Sequence, residues 1–120
     1  MNRVVLISCT LEKLNYKSKA KKLYSPSPNF VNNLKYAYTL NPDKIFIISA
    51  KHHVLELDDE IEPYNLSIDE LNKKEKIEWK NKVINQLKNK KINLEIDEIF
   101  TILPHDYLEL ISQHIKNRKI

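Results

Sequence analysis

Apolar residues fall along this chain in two alternating rhythms. Residues 4–8 (Val4, Val5, Leu6, Ile7, Ser8) and 44–49 (with Ile45, Phe46, Ile47 and Ile48) are short, continuous, β-branched-rich runs. Such runs suit strands buried on both faces, as in a parallel sheet covered by helices. A third strand is expected at roughly 98–103. Between the runs the spacing turns helical. Ser27 stands before Pro28 as a hydroxyl cap ahead of a first-turn proline, and Phe30, Val31, Leu34, Ala37 and Tyr38 share one face of a helix that runs to about Leu40. Asn41-Pro42-Asp43 reads as a turn. Ser67 and Glu70 have capping-box spacing, followed by an apolar stripe of Leu71, Ile77, Val83, Ile84 and Leu87, with Trp79 at its edge. Pro104 or His105 opens a last helix bearing Tyr107, Leu108, Ile111 and Ile115.

Two stretches break the rhythm. Residues 10–22 carry five lysines (Lys13, Lys17, Lys19, Lys21, Lys22) and read as a loop leaving the first strand, and residues 50–65 read as irregular chain folded over the strand ends. Strand-helix alternation without a repeat or linker predicts a single α/β domain over residues 1–120. The expected architecture is a small three-layer α/β/α fold with a three- or four-stranded, mainly parallel sheet, Rossmann-like or uracil-DNA-glycosylase-like in type, with right-handed crossovers.

Length and composition agree with this. A chain of 120 residues, 42% hydrophobic and 30% charged, suits one soluble core. No apolar run reaches the length of a membrane span, and the Met1-Asn2-Arg3 start with residues 4–7 is too short for a signal peptide. The single cysteine, Cys9, has no partner for an intramolecular disulfide and no zinc-ligand spacing around it, so a reducing cytoplasm is the expected setting. The net charge of +4 favours phosphate-bearing partners only weakly, since lysines stand among many acids. Glycine is absent. No glycine-rich phosphate loop can form, and turns needing a positive φ must use Asn, Asp or His.

In open parallel sheets ligands bind beyond the carboxyl ends of strands. That selects Ser8 to Lys13, Ser49 to His53, and Leu103 to Tyr107. Two of these place serine at a strand end with lysine a few residues on, so hydroxyl and ammonium donors share one rim. Lys13 and Lys51 are the candidate catalytic residues, because a desolvated lysine can act as an amine nucleophile, although any single lysine is more often plain surface. Ser8, Cys9, Tyr24, Ser25, Ser49, His52, Tyr64, His105 and Tyr107 are the candidate substrate-binding residues. Cys9 reads more readily as a small packed hydrophobe than as a nucleophile. His52, His53, His105 and His114 lack the spacing of a metal site, and neither metal nor cofactor is expected. Tyr24 and Ser25 precede a helix amino terminus, where anions are favoured, and Tyr24 and Tyr64 are of the kind that stack on a planar base.

These residues carry a resemblance. Cys9 to Lys13, Leu23-Tyr24-Ser25 with Phe30 beyond, Ser49-Ala50-Lys51-His52-His53 and Pro63-Tyr64 resemble, in order, the Cys-x-x-x-Lys, Leu-Tyr-Ser-x-x-Phe, Ser-Ala-Lys-x-Gly and Pro-Tyr motifs of an uncharacterised bacterial and phage domain family. That family is similar, more distantly, to YaaA-like proteins and to the core of archaeosine synthase, which has a uracil-DNA-glycosylase-like fold. In archaeosine synthase the lysine of a Pro-Cys-x-x-x-Lys-Pro-Tyr motif acts on a deazaguanine base, and its Cys-x-x-x-Lys portion falls on Cys9 and Lys13. The resemblance implies an enzyme directed at a nucleobase or nucleoside, by base modification or glycosidic-bond chemistry, with a nucleobase, nucleotide or nucleic acid as partner. The alternative is a non-catalytic nucleotide- or nucleic-acid-binding module, of the kind that serves phage defence or counter-defence. The sequence departs from these motifs at Ser8, at Leu14-Asn15 and at His53, which stands where glycine is expected.

Overall fold

A computed structural model describes residues 1–119. Five strands form the main sheet in the order β4-β3-β1-β6-β7, with β1 (Arg3–Ser8), β3 (Lys44–Ser49), β6 (Glu98–Ile102) and β7 (Arg118–Lys119) parallel and β4 (His53–Glu56) antiparallel at one edge. Two short strands, β2 (Ser18–Lys19) and β5 (Glu60–Ile61), pair antiparallel as a separate ribbon. The helices are α1 (Ala20–Leu23), α2 (Pro28–Thr39), α3 (Lys73–Asn89) and α4 (His105–Ile111), with single 3-10 turns at Ile68–Glu70 and Ser112–His114.

The continuous apolar runs form the centre because both faces of the sheet are covered. Along β1 the side chains alternate. Val4 and Leu6 join Phe46, Ile48, Val83, Leu87, Ile99 and Ile111 under α3 and α4. Val5 and Ile7 join Ile47, Leu23, Phe30 and Ala37 under α1 and α2. The fold is therefore three-layered α/β/α.

Three details differ from the sequence reading. The sheet has five strands where three or four are expected, gaining β4 and β7 as edge strands beyond the three located from sequence. The stretch 50–65 is not wholly irregular, since it contains β4 and β5. And the Ser67–Glu70 signature opens only the 3-10 turn: Leu71 is extended (φ −80°, ψ 140°), and α3 starts from a second capping box, in which Asn72 Oδ1 accepts from Glu75 N–H at 2.8 Å and Glu75 accepts from Asn72 N–H at 2.9 Å. No helix among the described residues is long and apolar enough to cross a membrane.

Candidate functional site

The carboxyl ends of β1 and β3 lie side by side, and the Cys9 amide extends their pairing by donating to the Ile48 carbonyl at 3.0 Å. The lysine-rich loop is brought back across these ends by the β2–β5 ribbon, helped by Ala20 N–H to Asp59 O (2.7 Å) and Lys21 N–H to Leu57 O (3.0 Å). This fastening sets Lys13 against Tyr64, 51 positions apart in the sequence.

The two candidate lysines meet there. Lys13 Nζ stands 4.5 Å from the centre of the Tyr64 ring and 5.8 Å from that of Tyr24, and Lys51 Nζ stands 5.9 Å from the Tyr64 ring. Tyr64 is thus a shared aromatic platform for two cations. Lys13 Nζ also donates to the Leu11 carbonyl at 3.2 Å. Burial against this platform lowers the Lys13 pKa below the ordinary lysine value, although nearby Cys9 and Glu12 oppose the shift.

Beneath the lysines the hydroxyls satisfy one another. Tyr64 OH lies 2.6 Å from Tyr24 OH and 2.7 Å from Ser49 Oγ, and Ser49 Oγ accepts the backbone N–H groups of Lys51 (3.2 Å) and His52 (3.0 Å). The Ser49 carbonyl receives Trp79 Nε1–H at 3.0 Å. His52 stands edge-on to Tyr64, 5.2 Å between ring centres, and burial followed by the Lys51 charge lowers its pKa. Cys9 Sγ lies 3.2 Å from Tyr107 OH. Burial raises the phenols of Tyr24, Tyr64 and Tyr107 well above the usual tyrosine value, so all three stay protonated at neutral pH.

Beside this cluster two grooves open along the ends of β1 and β6. One, of about 240 Å³, is lined by Ser8, Cys9, Ser27, Ser67 and Tyr107 among others. The other, of about 380 Å³, shares Ser8, Cys9, Thr10 and Asn29 with it and adds Asn33 and Thr101. Hydroxyl and amide groups in their walls are set among apolar side chains (Leu11, Leu66, Ile102, Leu103, Pro104), and the first groove also carries the carboxylates of Glu12 and Asp106.

Of the residues singled out from sequence, Ser8, Cys9 and Tyr107 line a groove, while Lys13, Lys51, Ser49, His52 and Tyr64 form the adjoining cluster. Tyr24 is fully buried beneath Lys13 and Tyr64, so it supports the platform and offers no face for stacking. Ser25 is exposed and lines neither groove. His105 is exposed and pairs along α4 with Glu109 at 3.2 Å, turned away from the grooves that its neighbours Pro104 and Asp106 line. Sequence reasoning did not single out Thr10, Asn29, Asn33 or Thr101. Clues to three of them were present: Thr10 lies in the strand-end stretch Ser8 to Lys13, and Asn29 and Asn33 stand four apart on one face of α2. Among the described residues no three His, Cys, Asp or Glu side chains gather as a metal site.

Against known protein families, the model described as "Family of unknown function (DUF6884)" matches residues 4–120, nearly the whole chain. The chain belongs to the DUF6884 family. No curated protein and no solved structure matches it. The match covers every strand and helix of this DUF6884 domain except Arg3 at the head of β1, so the two lysine corners, the tyrosine platform and both grooves all lie inside the family's extent.

Proposed function

We propose that this DUF6884 domain carries a site for a nucleobase or nucleoside, and that it acts there as an enzyme of base modification or glycosidic-bond chemistry. The observation that carries the reading is the meeting of Lys13 and Lys51 over one tyrosine ring, at 4.5 and 5.9 Å, beside grooves that set hydroxyl and amide groups among apolar side chains. Hydroxyls and amides match the mixed donor and acceptor edge of a base. A partly desolvated amine holds a larger neutral fraction than a solvated one, which is what a nucleophile or proton acceptor needs. The likeness of the Cys9-to-Lys13 motif to that of archaeosine synthase, and the wider likeness to YaaA-like proteins, support the same substrate class.

One observation favours a second reading, capture without turnover: neither lysine lines a groove, so neither is fixed against the atoms a groove would hold. Lys13→Arg separates the two, since arginine keeps the charge and cannot serve as an amine nucleophile. Against a panel of nucleosides and short oligonucleotides, product formation should vanish in both Lys13→Ala and Lys13→Arg. Binding without product in the parent protein, retained in Lys13→Arg, would establish capture. Undiminished product or binding in Lys13→Ala would remove Lys13 from the site. Independently, NMR of lysine Nζ groups across a pH titration should find Lys13 losing its proton below 10.5, and a midpoint at or above that value contradicts its desolvation.

A further inference from the structure

The net charge of +4 is unevenly held. Residues 73–91, which comprise α3 and its carboxyl-terminal cap, contain eight lysines and two glutamates, a net +6, so the rest of the chain is net −2. The lysine-rich loop before α1 is not the basic surface it promises to be. Lys21 and Lys19 face Asp58 at 3.0 and 3.9 Å, and the β2–β5 ribbon lays Asp59 and Glu60 alongside them. On α3, by contrast, only Lys90 reaches a carboxylate among the described residues, that of Glu56 at 2.9 Å.

Trp79, Val83, Ile84 and Leu87 are buried, and the outer face exposes Lys74, Asn81, Lys82, Asn85 and Lys88 around one carboxylate, that of Glu78, with Glu75 and Ile77 exposed beside it. Asn81 and Asn85, four apart, add neutral hydrogen-bonding groups between the charges. α3 adjoins the candidate site through the hydrogen bond from Trp79, in its second turn, to the Ser49 carbonyl, and six residues before the helix Ser67 lines a groove. The helix is seventeen residues long, about 25 Å at 1.5 Å per residue, and ends at a cavity of about 610 Å³ lined by Lys88, Lys91, Lys116 and His114 with one carboxylate, that of Glu95.

We infer that the outer face of α3 is a docking surface for the phosphodiester backbone of a nucleic acid, which runs from the base-directed site to this far cavity. The inference rests on the base-directed reading and sharpens it: the substrate base belongs to a polynucleotide, and the phosphates that flank it are held by α3. Charge complementarity and a neutral amide row fit such a backbone. An anionic bilayer fits poorly, because the apolar side chains of α3 are committed to the core apart from Ile77, leaving no apolar face to insert.

The test is fluorescence anisotropy with single-stranded DNA, duplex DNA and single-stranded RNA, at several salt concentrations. Parent protein is compared with a Lys74→Gln, Lys82→Gln, Lys88→Gln triple variant and its Glu counterpart. Glutamine is a good helix former at these exposed positions, so the fold is kept. The parent should bind at least one of the three with affinity that falls as salt rises. The Gln triple should bind that nucleic acid at least tenfold more weakly, with a salt slope shallower by about two to three, and the Glu triple more weakly still. Equal affinity in parent and triples overturns the inference while leaving the site intact. Product formation that survives Lys13→Ala overturns the site reading alone. Binding to phosphatidylserine vesicles in place of all three oligonucleotides, or to none of these probes, also overturns the inference.

Discussion

Ser49 shows how much a single side chain can fix. Its Oγ is buried and accepts two backbone N–H groups, which occupies both lone pairs. Its own hydrogen must then go to Tyr64 OH at 2.7 Å, and Tyr64 donates onward to Tyr24 at 2.6 Å. The order of donation fixes the cost of breaking it. Ser49→Ala strands two amides and a phenol and should cost about 2–3 kcal/mol, whereas Tyr64→Phe removes two links but strands only one donor, the Ser49 hydroxyl, and should cost about 1–2 kcal/mol. Urea denaturation of the two variants checks this, and a Tyr64→Phe loss equal to or larger than that of Ser49→Ala would reverse the assigned direction. Ser49 is legible in the sequence as a hydroxyl at a strand end and Tyr64 as an aromatic residue of the chain that follows. That their hydroxyls are committed to each other was illegible, because the contact spans a loop whose path depends on the β2–β5 ribbon, two residues per strand and too short to leave a periodic signal.

Among the elements, the missing glycine has measurable consequences. Three residues take a positive φ without it: Asn41 at 55°, His53 at 67° and Lys91 at 69°. Asn41 is the residue type expected in such a turn. His53 turns β3 into β4 within a tight hairpin, and without a glycine there residues 50–56 carry no hairpin signal. Lys91 sits just past the end of α3, where Lys91 N–H bonds to Lys88 O at 3.0 Å and Ile92 N–H to Leu87 O at 3.1 Å, a Schellman closure that normally takes glycine. Lys91→Gly should therefore stabilise the domain by about 1 kcal/mol, since the relieved left-handed strain exceeds the added freedom of the unfolded chain. At the other end of the helix, Asn72→Ala removes the cap that starts α3 and should cost about 1 kcal/mol. Thermal melts of the pair should move in opposite directions, and a fall in Tm for Lys91→Gly would show that the lysine side chain does more for the cap than its backbone costs. Of the two capping signatures only Ser67 with Glu70 is singled out in the sequence reading. That the long helix begins instead from Asn72 was not legible, because it depends on Leu71 leaving helical geometry to pack against the core.

At the scale of the molecule, the central strands were legible because they are buried on both faces and so read as unbroken apolar runs, while β7 was not, because Arg118 and Lys119 at a sheet edge carry no such pattern. The same limit hides Asp97, a buried carboxylate that joins the amino-terminal segment to the loop before β6. It accepts Asn2 N–H and Asn93 N–H, both at 2.8 Å. Burial alone would raise its pKa, but the amides of Asn2 and Asn93 outweigh that and hold it below the usual carboxylate value of 3.8. The sign of the linkage follows. A carboxyl with a folded pKa below its unfolded one contributes stability that is fully present above the unfolded value and is lost as pH falls through the folded value. Asp97→Asn keeps the shape and loses the charge, so it should cost about 1–2 kcal/mol at pH 7. That gap should stay level down to about pH 5 and close as the parent carboxyl becomes protonated below about pH 4. Urea denaturation of both proteins from pH 7 to pH 3 reads it directly. A gap that does not change with pH would mean that shape, and not charge, is what binds the first strand to the loop ahead of β6.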